Sequence, residues 1–353
     1  MGLLIKRLPY RERHLTRRAF IFMAGGVLLS LVFLAFLLLC QLPCAENQYS
    51  YEYEQWKRGR SFLTPSKYSR YTLVILIISG PDNLNERNTI RQTWLTGIDD
   101  SFVLFRFVVG TAALDKEKAI QLTREDATNK DMVLLNNVKD SYNELTFKVL
   151  QALVWLDKHA EYQYVLKVDD DSFVFVSGVL LELQFKPKER LYWGFFDGRA
   201  NVKTLGKWKE TNWNLCDKYL PYARGGGYVL SFDLVNFIAR NSDLLQLYLS
   251  EDVSVGAWLA PLKVNRHHDQ NFDTEYMSRG CLNTYLVLHK QSAVSLRELQ
   301  DNLETLGVLC KTETVLRGSY EYNWTYPPSQ CCNRALVQQK GAKKKKSEII
   351  KNI

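Results

Sequence analysis

Four short apolar runs restrict the fold more than any other feature of this chain: TLVILIISG (72–80), FVLFRFVVG (102–110), DMVLL (131–135) and YVLKV (164–168). Each is rich in β-branched or aromatic residues and bounded by polar stretches, so each reads as a strand buried on both faces. Between the last two, Ser141 and Glu144 have the spacing of a capping box, and Leu145, Val149, Leu153 and Leu156 then share one helical face. Strand, helix, strand predicts an α/β fold with a mainly parallel central sheet. Residues 71–334 fit a single core of that kind.

The fourth run leads directly into Asp169, Asp170 and Asp171. An EF-hand loop counted from Asp169 would need Gly at its sixth position and Glu at its twelfth, where this chain has Val174 and Leu180. A solvated acidic turn and a divalent-metal site holding a diphosphate at a strand's C-terminal end both remain open. His289, after the apolar YLVL, is either a core histidine or a further metal ligand. Asp252 in SEDVSVGAWL is either a helix N-cap or a general base fixed at a helix start. Arg87 and Arg91, four apart in ERNTIRQTW, share a helical face and either contact phosphates or face solvent. Lys148 is expected to snorkel from its helix. Trp193, Phe195 and Phe196 either stack on a sugar or pack in the core. The three glycines of RGGGYVLS fit no nucleotide-binding pattern and allow a tight turn or a close backbone approach.

The ends of the chain point to a membrane. Ala19–Cys40 carries no charge and, as a helix, would span about 33 Å, enough for a hydrocarbon core. Six basic residues precede it against Glu12 alone, so the positive-inside rule puts residues 1–18 in the cytosol and the rest across the membrane. Residues 41–70 read as a stem and 335–353 as a basic disordered tail. The net charge of +8 is concentrated in the two ends, and the remainder is slightly acidic, which excludes a nucleic-acid face. Seven cysteines without a CxxC pair fit disulfides in an oxidising lumen, their pairing unreadable. Asn323-Trp324-Thr325 is a glycosylation sequon.

A cytosolic tail and signal anchor, then RNTIRQTW, DDD after YVLKV, GGGYVLS and EDVSVGAWL, in that order, resemble the inverting β1,3-glycosyltransferases of the Golgi. LYWGFFDGR, LCDKYLPYARGGGYVLS, HDQNFDTEYMSRGC, YLVLHKQS and YPPSQCC look most like the branch that adds the second galactose of the glycosaminoglycan linkage region. The resemblance covers residues 71–334. It implies a GT-A fold, UDP-galactose as donor, a proteoglycan core protein carrying Gal-β1,4-Xyl as acceptor, Mn²⁺ as cofactor, and a Golgi membrane location beside other Golgi glycosyltransferases. It also implies roles: Asp171 and His289 as metal ligands, Asp169 and Asp170 for the ribose, sugar or outer shell, and Asp252 as catalytic base. The lysine-rich tail after Cys332 departs from the family's pattern.

Overall fold

The computed structural model describes residues 70–334, all within one compact unit. Strands β1 (Tyr71–Ile78), β2 (Val103–Gly110), β3 (Met132–Leu135) and β4 (Tyr162–Asp169) correspond to the four apolar runs. They pair in parallel, β3 with β2, β2 with β1 and β1 with β4. From Leu73 to Ile77 no β1 side chain is more than 1% exposed, as a strand covered on both faces requires. Strands β6 (Leu191–Asp197), β7 (Tyr222–Ser231) and β8 (Asn265–His268) extend the sheet to seven in the order β3-β2-β1-β4-β7-β6-β8. Only β7 runs antiparallel to its neighbours, so the sheet is mixed but mainly parallel.

Helices α1 (Leu84–Arg91), α2 (Lys116–Asn129) and α3 (Leu145–His159) belong to the parallel half. Helix α3 buries Val149, Leu153 and Leu156 of the stripe expected of it and Leu150 besides, while Leu145 at its first turn is only partly buried. The capping box does not form: Tyr142–Glu144 is a 3₁₀ turn, and neither Ser141 nor Glu144 caps with its side chain. A tighter lead-in turn puts those side chains where they cannot bond back to the helix amides. Helices α4 (Val176–Leu183), α5 (Phe232–Arg240), α6 (Glu251–Leu259) and α7 (Ala293–Leu306) complete the regular helices.

Two features of the connections place the site. Strand β5 (Phe173–Val174), just past the acidic triplet, pairs with β11 (Val287–Leu288), which also pairs with β9 (Phe272–Asp273). Antiparallel β7 places Gly227 opposite Val168 of β4. The second disulfide of the pair Cys281–Cys310 and Cys331–Cys332 joins neighbours in sequence, and Cys216 is a free, exposed thiol. No helix among the described residues is long and apolar enough to cross a membrane. The expected tail, anchor span, stem and basic C-terminus lie outside them.

Candidate active site

Strand β4 delivers the triplet at its C-terminal end, where the pleat stops and the three carboxylates diverge. The register Leu288↔Phe173 then brings the next residue of the other chain segment, His289, against the triplet. Backbone bonds fix this: His289 N donates to Asp273 O at 3.0 Å and Gln291 N to Asp171 O at 2.8 Å. His289 Nε2 lies 3.0 Å from Asp171 Oδ1 and 3.4 Å from Asp169 Oδ2.

One ligand atom from each of Asp169, Asp171 and His289 lies within 4.8 Å of the others. None of their mutual contacts has hydrogen-bond geometry, so Asp171 Oδ1 and both ring nitrogens are buried without a hydrogen-bond partner. Buried acceptors without partners are costly. Two carboxylate oxygens and an imidazole converging in this way fit a divalent cation. Burial alone would lower the His289 pKa, but the two carboxylates outweigh it and raise it to about 9. Asp169, despite burial, is held well below the usual range by Lys167 and His289.

The sequence expectation is therefore redistributed. Asp171 and His289 come together as expected, and Asp169, assigned by resemblance to the sugar or outer shell, stands with them. Asp170 turns away: its Oδ2 accepts from Asn83 Nδ2 at 2.8 Å, and burial raises its pKa.

Lys167 lies inside the sheet, 2% exposed, and links this cluster to the start of α6. Its ammonium donates to Asp169 Oδ1 at 2.7 Å, Glu251 Oε1 at 2.6 Å and Gly225 O at 2.7 Å, which uses all three protons. Sequence reasoning missed it, although one cation inside YVLKV was a signal, since a buried lysine needs partners. Glu251 has no free oxygen, because Oε2 accepts from the Tyr228 hydroxyl at 2.9 Å. Asp252 is different. It is only partly buried; Oδ2 accepts from Gly225 N and Oδ1 from Val253 N, both at 2.9 Å. Asp252 lies inside the first turn, with Ser250 at the cap position, so it is not an N-cap. Burial raises its pKa, against the opposing pull of Arg224 and Lys167.

The glycine triplet makes room for these groups as a close approach within β7, not as a turn. A Cβ at Gly225 would stand 2.9 Å from Glu251 Oε1 and 3.3 Å from Asp252 Oδ2, and one at Gly226 would collide with the His289 ring.

Other candidates are spoken for. Arg87 is fully buried, with its guanidinium bound to Glu125, Ser79 Oγ and the carbonyls of Gly80 and Pro81. Arg91 pairs with Asp131 and Glu125 and covers the Phe107 ring. Neither guanidinium is left for a phosphate, because the acids of α2 and its C-terminal connection fold back over them. Lys148 does not snorkel; it is buried and bonded to Asp140 and Ser79 O. Trp193, Phe195 and Phe196 are fully buried core residues.

Two carboxylates with a histidine can hold a divalent cation, and a separate carboxylate can take a proton. A family model for galactosyltransferases matches residues 85–270, which include the triplet and Asp252. Beta-1,3-galactosyltransferase 6 of Mus musculus is 49% identical over 270 residues, covering 74% of this chain and 82% of that protein. UDP-GalNAc:beta-1,3-N-acetylgalactosaminyltransferase 2 of Xenopus tropicalis is 33% identical over 210 residues, 59% of this chain and 42% of that protein. Hydroxyproline O-galactosyltransferase GALT6 of Arabidopsis thaliana is 31% identical over 243 residues, 67% of this chain and 35% of that protein. This chain thus spans less than half the length of the latter two. Its motifs, the span of the family match and the extent of the first likeness agree, and the chain belongs to the galactosyltransferase family.

Proposed function

We propose that this chain is an inverting β1,3-galactosyltransferase of GT-A type. In this reading it transfers galactose from UDP-galactose to the 3-hydroxyl of the galactose in Gal-β1,4-Xyl-protein. The observation that carries the reading is 49% identity, over most of both chains, to a protein named Beta-1,3-galactosyltransferase 6. The site supports it: Asp169, Asp171 and His289 would hold Mn²⁺, and Asp252 is a partly exposed carboxylate held only by two backbone amides, with no ammonium or hydroxyl among the described residues bonded to it. When bound, the cation supplies positive charge to the diphosphate as it leaves.

The chain's own residues set out a single displacement. Asp252 takes the proton of the acceptor 3-hydroxyl as that oxygen attacks the anomeric carbon from the face opposite UDP, so the configuration inverts. The amides of Gly225 and Val253 hold the carboxylate in place. Glu251 is kept from the same role by Lys167 and Tyr228. The leaving UDP needs no protein acid, unlike the alcohol expelled in an inverting glycosidase.

The same reading places the chain in the Golgi membrane, with residues 19–40 as signal anchor, the catalytic domain in the lumen and other Golgi glycosyltransferases nearby. The test offers the purified protein UDP-galactose, UDP-N-acetylgalactosamine and UDP-N-acetylglucosamine with Gal-β1,4-xyloside, lactose and N-acetylglucosaminides, then identifies the product linkage. A β1,3-linked galactose on the xyloside is the expected product. Preferred transfer from another donor, or to N-acetylglucosamine ends, would overturn the specificity.

A further inference from the structure

We infer that Lys167 is a positioning residue for both halves of the site: it presents one oxygen of Asp169 to the cation, and it holds the strand that carries the base. The inference rests on the proposed function, because it takes Asp169 as a metal ligand and Asp252 as the base.

The first half is a division of oxygens. Asp169 Oδ1 accepts from the Lys167 ammonium at 2.7 Å, while Oδ2 faces the cluster, 3.4 Å from His289 Nε2. Asp171 is divided in the same way, with Oδ1 3.0 Å from His289 Nε2 and Oδ2 2.9 Å from Lys290. The two lysines differ in freedom. The Lys290 side chain is 51% exposed and can swing away, whereas that of Lys167 is 2% exposed and is enclosed with its partners. The orientation of Asp171 is adjustable, and that of Asp169 is fixed.

The second half lies at Gly225. The residues of β7 paired with β4 end at Gly227, and on the other side the register with β6 shifts between Tyr228 and Ala223. Gly225 falls in that gap, outside both sets of paired residues. Side chains hold it instead: its carbonyl accepts from Lys167 Nζ at 2.7 Å, and its amide donates to Asp252 Oδ2 at 2.9 Å. The third proton of Lys167 goes to Glu251 Oε1 at 2.6 Å, in the residue before the base. Asp252 is therefore fixed from two directions, through the glycine that bonds it and through its neighbour at the start of α6. A buried ammonium has three protons to place. Here two of them go to the groups that hold the cation and the base, whose separation has to stay fixed while donor and acceptor react.

The test uses the whole protein with Lys167→Met, Glu251→Gln and the two combined. It reads melting temperature, Mn²⁺ affinity without UDP, kcat and acceptor KM. Lys167→Met strands a buried carboxylate and should melt lower than the parent. Adding Glu251→Gln removes that charge, so the double variant should regain much of the loss. If Lys167 served stability alone, turnover would return with the melting temperature. As a positioning residue it should leave the double variant with kcat down roughly 100-fold, the scale of a reacting group displaced by about 1 Å, and with acceptor KM little changed. Loss of a positive charge beside Asp169 would by itself tighten Mn²⁺ binding, so the weakening expected, about 10–100-fold, reports lost orientation. Glu251→Gln alone keeps the bonds to Asp169 and Gly225, and its Mn²⁺ affinity should stay close to the parent's whatever its melting temperature. A double variant whose kcat recovers with its stability, or whose Mn²⁺ affinity is unchanged or tighter, overturns the inference. If the parent binds Mn²⁺ yet transfers no galactose, the proposed function falls separately, and weaker Mn²⁺ binding by the double variant still supports the hold of Lys167 on Asp169.

Discussion

Gly226 faces the imidazole of His289 so closely that a methyl group built on it would stand 2.5 Å from both Cγ and Nδ1. The ring is thus wedged between a strand of the central sheet and the triplet, its position set by backbone instead of by a hydrogen bond. Ser172 Oγ donates to Gly226 O at 2.9 Å and ties the same strand to the turn after Asp171. Backbone contact of this kind makes the cluster rigid, and a rigid cluster binds a cation without reorganising.

The first prediction follows from that contact. Gly226→Ala should keep the fold, since the backbone there has no positive φ to lose, but must push His289 away from the carboxylates. Titration with Mn²⁺ should show affinity lower by about 10–100-fold, the usual range for disturbing a ligand's support, with turnover falling in step. Unchanged Mn²⁺ affinity would remove His289 from the metal site.

The metal site itself gives a prediction with two signs. Chelation should abolish transfer and Mn²⁺ restore it. Asp171→Asn removes a charged oxygen ligand and should weaken Mn²⁺ binding at least as much as His289→Ala. Lys290, half-exposed, lies 2.9 Å from Asp171 Oδ2 and competes there as a cation. Lys290→Met should therefore leave Mn²⁺ affinity unchanged or tighten it, as read by titration without UDP. Weakening by Lys290→Met would mean that this ammonium helps to build the site.

Asp252→Asn should separate chemistry from binding. General-base catalysis contributes roughly 10²–10⁴-fold, so turnover should fall by that order while UDP affinity with Mn²⁺ holds. Glu251→Gln serves as the comparison. It breaks a buried pair with Lys167 and should lower the melting temperature more than Asp252→Asn does, because it leaves a buried ammonium short of charge. If Asp252→Asn keeps more than about a tenth of the parent turnover, well outside that catalytic range, the base lies elsewhere.

The strands were legible because burial on both faces writes an unbroken apolar run, and α3 was legible because its buried stripe has helical period. The three consecutive aspartates stood out in the sequence, but their residue types alone left an acidic turn and a metal site equally open, and only the family resemblance chose between them. The site was not legible where partners are distant in sequence. Nothing near Arg87 reveals that Glu125, 38 residues on, will take its guanidinium, and nothing in YVLKV says that Lys167 will meet Glu251, 84 residues away. Asp169 and Asp170 are adjacent, and only the end of the pleat decides that one faces His289 and the other Asn83. The pairing of Cys281 with Cys310 likewise depends on how β10 (Gly280–Cys281) and β12 (Thr314–Val315) come together.

The final prediction concerns pH, where activity and stability should move in opposite directions. Burial raises the Asp252 pKa above its ordinary 3.8, and burial pushes Glu251 up from 4.5 to about 7 even against the ammonium of Lys167. A carboxyl with a raised folded-state pKa binds more protons when folded than when unfolded, between its unfolded and its folded value. Stability therefore falls as pH rises through that window, which for Glu251 runs from about 4.5 to about 7, and it levels off above. With Asp252 as the proposed base, catalysis requires it ionised, so kcat/KM should rise with pH through the raised pKa of Asp252 while the melting temperature declines. Arg224 sharpens the test, because its guanidinium, paired with Asp197, is the first of the groups that pull the Asp252 pKa down. Arg224→Met should shift the acid limb of kcat/KM to higher pH, and Arg224→Lys should shift it less. An acid limb that stays in place in Arg224→Met would mean that the ionisation controlling turnover does not belong to Asp252.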